Sequence, residues 1–228
     1  MQNIVFPPSI WAATAPARTQ AKPLNNDAEA DVAIVGGGFT GLSAALHLAK
    51  RGKRVILLEG NAVGWGASGR NNGQVIPTMT SAEPDAIAKR YGASGERFAR
   101  LIGNSADILF SIVRDENIDA EAEQNGWFQP AHSPGRVKLS QTRVDAWKRF
   151  GFPAEFFDRA ATSRLLGSDF WYGGMFNPTG GHINPLAFAR GLAAAAERHG
   201  AIIHEQSPVI SYAQVGDLSL IHISERAG

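Results

Sequence analysis

The sequence predicts an α/β fold built on a parallel βαβ unit, and three observations carry that prediction. The apolar run Asp31-Val32-Ala33-Ile34-Val35 stops at Gly36-Gly37-Gly38, as a strand does when it meets residues that weaken strand interiors. Leu42, Ala45, Leu46 and Ala49 then recur at helical spacing. After the turn Arg51-Gly52-Lys53, a second apolar run, Arg54-Val55-Ile56-Leu57-Leu58-Glu59, supplies a parallel partner strand. A Rossmann-like dinucleotide-binding domain is therefore expected from residue 31 onward.

Composition bounds the rest. The chain of 228 residues is 44% hydrophobic, enough for one sizeable domain or two small ones. Its 22 basic and 21 acidic residues leave a formal charge of +1, which gives no reason to invoke nucleic acid or an acidic membrane surface. Cysteine is absent, so disulfides, thiolate metal sites and cysteine nucleophiles are excluded, and no metal site is expected. No apolar run reaches the roughly 18 residues of a membrane span. The first residues lack a basic leader and are broken by Pro7 and Pro8, so the cytoplasm is the expected compartment. Residues 1–30 read as an extended arm, with Trp11 as a packing residue.

The glycines have separable tasks. Gly36 permits a tight turn, Gly38 lets the backbone approach a pyrophosphate, and Gly41 allows the helix to lie close on the strand. The helix N-terminus adds free N–H groups and partial positive charge. Glu59 closes the second strand about 20 positions after the turn, where an acid holds ribose hydroxyls. An acid there argues against a 2′-phosphate and leaves NAD and FAD open. The following segment, Gly64-Trp65-Gly66-Ala67-Ser68-Gly69-Arg70-Asn71-Asn72-Gly73-Gln74, is too polar for a core and resembles an anion and amide cradle. A longer dinucleotide, with a ring system beyond the pyrophosphate, gives such a loop a purpose.

DVAIVGGGFTGLSAALHLAKRG and VILLEGNAVGWGASGRNNGQ together resemble the flavin-binding half of the FAD-dependent amine and amino-acid oxidoreductases, the group that includes D-amino-acid oxidase, glycine oxidase and sarcosine oxidase. The stretch Gly180-Gly181-His182-Ile183-Asn184-Pro185-Leu186 is similar too. The sequence departs at Asn72, where the family usually has glycine and where asparagine tolerates left-handed geometry, and at Asn184, where some relatives carry histidine. The resemblance implies a Rossmann-like FAD-binding domain with part of an inserted α+β substrate domain, and a small-molecule amine or amino-acid substrate. It implies cofactor contacts at Gly36, Gly38, Phe39, Thr40, Gly41, Glu59, Gly60, Gly66, Ala67, Ser68, Arg70, Asn71, Gly73 and Gln74, and at the backbone of Val209 beside the adenine. No catalytic residue is nominated.

Past this half, residues 31–81 are expected to form the first part of the cofactor domain and 82–170 a helical and partial substrate region. Apolar residues from Ile87 to Val113, broken at Gly92 and Gly95, predict two helices. Strands are expected at 126–129 and 155–157, with a helix over 136–149. Trp127, His132 and His182 read as structural or pocket-lining. The aromatic run Phe170 to Asn177 marks the expected return to the cofactor domain over 171–215. There Asn184 caps a helix opened by Pro185, and Ala201 to Glu205 form a strand that looks buried. After Val215 the sequence leaves the family pattern. LSLIHISE is similar to a translated sequencing adapter, so 216–228 are expected to be an atypical tail of an N-terminal fragment, or else a terminal strand at 218–223. Two other readings are a nicotinamide-dependent dehydrogenase and a non-catalytic nucleotide-binding remnant.

Overall fold

The computed structural model describes residues 5–79 and 82–223. In chain order the elements are α1 (Ile10–Thr14), β1 (Val32–Val35), α2 (Phe39–Ala49), β2 (Val55–Leu58), a 3₁₀ turn (Ala67–Gly69), β3 (Gln74–Val75), α3 (Pro84–Gly103), α4 (Ser105–Asp115), β4 (Trp127–Pro130), α5 (Pro134–Arg149), β5 (Glu155–Phe157), α6 (Arg159–Leu166), β6 (Gly174–Asn177), β7 (Gly181–His182), α7 (Pro185–Arg198), β8 (Ile202–His204), β9 (Val209–Val215) and β10 (Leu218–Ile223). The described residues divide into two compact units. One takes 5–73, 113–121 and 184–223, the other 74–79, 82–112 and 122–183.

The first unit is the Rossmann-like part. Its parallel sheet runs β1-β2-β8, with Val32 opposite Val55 and Ile56 opposite Ile202. The central strand β2 is buried at every position, as a strand covered on both faces must be. On β8, by contrast, Ile202 is 53% exposed and only Ile203 is buried, because an edge strand covers one face at a time. Helix α2 buries Leu42, Ala45, Leu46 and Ala49. Helix α7 packs on it, with Phe39 and Phe188 edge to face at 5.4 Å, and its buried alanines at 187, 189, 193, 195 and 196 permit close approach. Asn184 caps α7 by accepting the Ala187 N–H at 3.1 Å. Its own amide nitrogen donates to Thr14 Oγ1 at 2.9 Å, so the departure from histidine there has a structural use. The arm is not wholly extended: Ser9 accepts the Ala12 N–H and starts α1. Strands β9 and β10 pair antiparallel around Gly216, with Ile210, Tyr212, Val215, Leu218 and Leu220 exposed. Residues 224–228 of the expected tail lie outside the described residues.

In the second unit, β6 runs between β4 and β5, antiparallel to both. Only the end of the aromatic run 170–177, which was expected to mark the return to the cofactor domain, enters the middle strand of this sheet, as Gly174–Asn177. The chain rejoins the first unit only at Asn184. Val144, Trp147, Ala154 and Met175 form the core, with Phe152 and Phe156 against it. Trp147 is fully buried and donates from Nε1 to Thr78 Oγ1 at 2.8 Å. Where two helices broken at Gly92 and Gly95 were expected there are three helical runs: α3 is kinked at Gly92 alone, at φ 55° and ψ −137°, and α4 follows after Asn104. Gly95 stays helical, and its lack of a side chain has a separate use: a Cβ on it would lie 2.3 Å from the Ile87 carbonyl oxygen. The Gly180-Gly181 pair answers a similar demand, since a Cβ at Gly181 would stand 2.0 Å from the Glu123 carbonyl oxygen.

Candidate functional site

The turn between β1 and α2 has the geometry that its glycines predict. Gly36 holds φ at 100° and donates its N–H to Leu58 O at 2.8 Å. A Cβ on Gly41 would fall 2.1 Å from the Gly36 carbonyl oxygen, so only glycine lets α2 lie this close to β1. Gly38 is the N-cap of α2 and carries no capping side chain. The first N–H groups of a helix have no intrahelical acceptor, and here Phe39 N–H is met at 3.0 Å by Ser68 Oγ from the second glycine-rich loop. The helix therefore opens on glycine backbone with its dipole facing outward, the arrangement that binds anions.

Glu59 ends β2 beside this turn. Its Oε2 accepts the Gly37 N–H and its Oε1 the Asn61 N–H, each at 2.7 Å. Each carboxylate oxygen keeps a second lone pair, so the side chain is held in place and can still accept from a vicinal diol. A Cβ on Gly37 would meet Glu59 Oε2 at 3.2 Å, which explains a third glycine beyond the fingerprint. Gly60 follows and packs near Pro208.

The second loop is built by its own residues. Gly69 would place a Cβ 2.1 Å from the Gly64 carbonyl oxygen, and Gly66 caps the 3₁₀ turn containing Ala67 and Ser68. Asn71 closes the loop on itself, donating to Ser68 O at 2.9 Å and accepting the Gly73 N–H at 2.9 Å. The Arg70 guanidinium lies over the Trp65 ring at 4.1 Å. The left-handed residues of the loop are Gly64 and Gly73, both at φ 72°, and Asn72 has no positive φ. The substitution at Asn72 therefore needs no left-handed asparagine. A Cβ at Gly66 would meet nothing within 4 Å, which leaves open space on that face of the loop.

The remaining residues singled out by sequence are more scattered. Val209 opens β9 in the first unit. Gln74 belongs to the second unit, where its Oε1 accepts from Trp127 Nε1 at 3.2 Å and its strand pairs with His182. His132 and His182 are exposed. Thr40 is exposed in the first turn of α2.

Sequence reasoning missed Glu205, a fully buried carboxylate that accepts the Val63 N–H at 2.6 Å and the Ala21 N–H. Its partners lie 142 and 184 positions away, so no local spacing signals it. The Ser68 bond to Phe39 escapes for the same reason. The open helix N-terminus, the fixed Glu59 carboxylate and the free face at Gly66 fit a dinucleotide with pyrophosphate at α2 and ribose at Glu59.

Residues 31–226 match the family described as DAO, FAD dependent oxidoreductase. That match continues past Val215, where the sequence was expected to leave the family pattern. The chain is 35% identical to γ-glutamylputrescine oxidoreductase of Escherichia coli (strain K12), covering 88% of this chain and 47% of the relative. It is 37% identical to the probable oxidoreductase OrdL of Haemophilus influenzae, covering 84% and 44%. Among solved structures, glycine oxidase from Geobacillus kaustophilus superposes with a TM-score of 0.73 at 22% identity, over 86% of this chain and 51% of that one. That likeness shows a shared fold. The chain spans about half the length of the curated relatives it matches, and by the family match over 31–226 it belongs to the FAD dependent oxidoreductases.

Proposed function

We propose that this chain supplies the FAD-binding part of an oxidoreductase that oxidises the C–N bond of a small amine or amino acid. The observation that carries the proposal is the N-terminus of α2, which opens on Gly38 with Ser68 Oγ on its first N–H and is set beside the Glu59 carboxylate. In this reading the first unit is the cofactor domain and the second is part of the substrate domain. The turn from Gly36 to Gly41, with Phe39 and Thr40, receives the pyrophosphate. Glu59 and Gly60 receive the adenosine ribose, and the backbone of Val209 lies by the adenine. Gly66, Ala67, Ser68, Arg70, Asn71 and Gly73 serve the flavin end.

When bound, FAD supplies a two-electron acceptor for a hydride from the carbon next to the substrate nitrogen. The chain's own contribution is binding and orientation. The α2 dipole and N–H groups offset pyrophosphate charge, the Glu59 lone pairs fix the ribose, and Ser68 couples the second loop to the first helical turn. None of the described side chains is assigned a proton transfer.

The test is a titration of the purified chain with FAD and with NAD, followed by flavin fluorescence quenching and thermal shift. Saturable stabilisation by FAD, with none from NAD, is expected. Protection by NAD alone refutes the flavin assignment. For the longer protein, amine oxidation with γ-glutamylputrescine, the compound in the E. coli relative's name, against glycine separates an amine from an amino-acid substrate.

A further inference from the structure

The second glycine-rich loop has no apolar side chain at its tip to hold it. Gly66, Ala67, Arg70, Asn71 and Asn72 are exposed, and a segment with few buried contacts keeps one shape only where hydrogen bonds impose it. Its base rests on α7, since a Cβ on Gly64 or Gly69 would meet Leu186 Cδ1 at 3.0 or 2.9 Å. The tip depends on polar contacts.

One of those contacts comes from the N-terminal arm. Trp11 Nε1 donates to the Asn71 carbonyl at 2.9 Å, across 60 positions of sequence. Packing explains a ring at this place but not the aim of its N–H. Helix α1, which carries Trp11, is itself tied to α7. Thr14 Oγ1 accepts from Asn184 Nδ2 at 2.9 Å, and Arg190 Nη1 donates to the carbonyls of Ala15 and Pro16 at 3.3 and 2.7 Å. The indole is thus mounted on the helix that packs against α2.

From Asn71 the contacts run to the turn. Asn71 Nδ2 donates to Ser68 O at 2.9 Å, and Ser68 Oγ accepts the Phe39 N–H at 3.0 Å. A Cβ on Gly38 would stand 2.9 Å from that Oγ, so the hydroxyl sits at the mouth of the first helical turn. Freeing the Asn71 peptide lets its side chain swing, and Ser68 moves with it.

We infer that Trp11 is a positioning residue for the cofactor: its indole N–H fixes Asn71, Asn71 fixes Ser68, and Ser68 sets the face that the second loop presents to the start of α2. This inference rests on the FAD reading of the site and extends it to the arm, beyond the packing role that sequence suggests for Trp11.

Trp11→Phe keeps a ring and removes the donor. It should weaken FAD binding about fivefold, the worth of one neutral hydrogen bond, while the melting temperature of the FAD-free chain moves by no more than about 3 °C. In a Ser68→Ala background the same substitution should change FAD affinity by less than about twofold, because the route to the turn is already cut. Unaltered affinity in Trp11→Phe overturns the inference, as does a loss that persists in full without the Ser68 hydroxyl, the mark of a merely structural role. Amide hydrogen exchange of the FAD-free chain tests the route independently of the cofactor. The Phe39 and Gly73 N–H groups, bonded to Ser68 Oγ and Asn71 Oδ1, should exchange faster in Trp11→Phe, and that of Gly36, bonded to Leu58 O, should not. Wild type that binds no FAD refutes the cofactor reading, whereas unchanged exchange at Phe39 refutes the coupling of Trp11 to the turn. Trp11→Leu, which also lacks the donor, gives the same readings where Trp11→Phe fails to fold.

Discussion

Gly41→Ala is the sharpest test of how α2 meets β1. In an exposed helix this change would add about 1 kcal/mol of helix propensity. Here the new Cβ would stand 2.1 Å from the Gly36 carbonyl oxygen and 3.2 Å from Ile34 Cγ2, whereas carbon-to-oxygen approaches in proteins begin near about 3.3 Å. The oxygen has little freedom to yield, because Gly36 is fixed at φ 100° and its N–H donates to Leu58 O at 2.8 Å. Relief therefore means lifting α2 by roughly 1 Å and loosening Leu42 and Leu46, an overpacking strain of about 1–3 kcal/mol or more. With the strain at the upper end of that range, as so short an approach demands, it outweighs the propensity gain and a net loss of up to about 2 kcal/mol is expected. Urea denaturation followed by tryptophan fluorescence measures it, with Gly66→Ala as the comparison, since a Cβ there meets nothing within 4 Å. That second variant should stay within about 0.5 kcal/mol of wild type. FAD affinity of Gly41→Ala should fall at least about tenfold, because the displaced turn presents the first amides. A Gly41→Ala protein as stable as wild type would refute the close-packing argument.

Two further outcomes follow from particular contacts. Glu59→Gln leaves one oxygen for two N–H donors, Gly37 and Asn61, so stability should drop by about 1–2 kcal/mol, with FAD binding weakened more than thermal stability; unchanged FAD affinity in the titration would count against a ribose role. Glu116 is buried, and the Lys50 ammonium at 2.7 Å, against the opposing effect of burial and with help from His199, holds its carboxyl below the ordinary 4.5. Because the folded value lies below the unfolded one, its stabilisation is fully present above about pH 4.5 and is lost as pH falls through the folded value. Melting temperature measured against pH should therefore fall more steeply in acid for wild type than for Glu116→Gln, and parallel curves would dismiss the contribution.

The parts of this fold that were legible in sequence are those whose cause is local. Gly36 and Gly41 announce a turn because the positive φ of one and the crowding of the other arise within the turn itself, whereas the space at Gly38 is taken by Ser68 Oγ from the second loop; Asn184-Pro185 announces α7 because a cap and its target are three residues apart. Boundaries shifted where tertiary packing decided. Gly95 looked like a break but stays helical, its missing side chain making room for the Ile87 carbonyl, and the end of the 170–177 run, which looked like a passage between domains, supplies Gly174–Asn177 as the middle strand of a sheet. Arg70 and Asn71 were legible as a polar loop, yet sequence did not show that Asn71 would be consumed in closing it or that Arg70 would stack on Trp65. The partners of Glu205 were invisible because it joins residues across nearly the whole chain.

The first unit is assembled from separated lengths of chain, and that has a temporal consequence during synthesis. Strand β2, apolar and buried at every position, finds β1 at once but must wait for β8. About 140 residues separate β2 from β8, which at ribosomal speed is on the order of ten seconds. All of the second unit's chain emerges in that interval and can pack before the first sheet is complete. Throughout it, one edge of the most hydrophobic strand stands open to any passing strand, so chaperone protection of the nascent chain matters most between the appearance of Leu58 and that of Ile202.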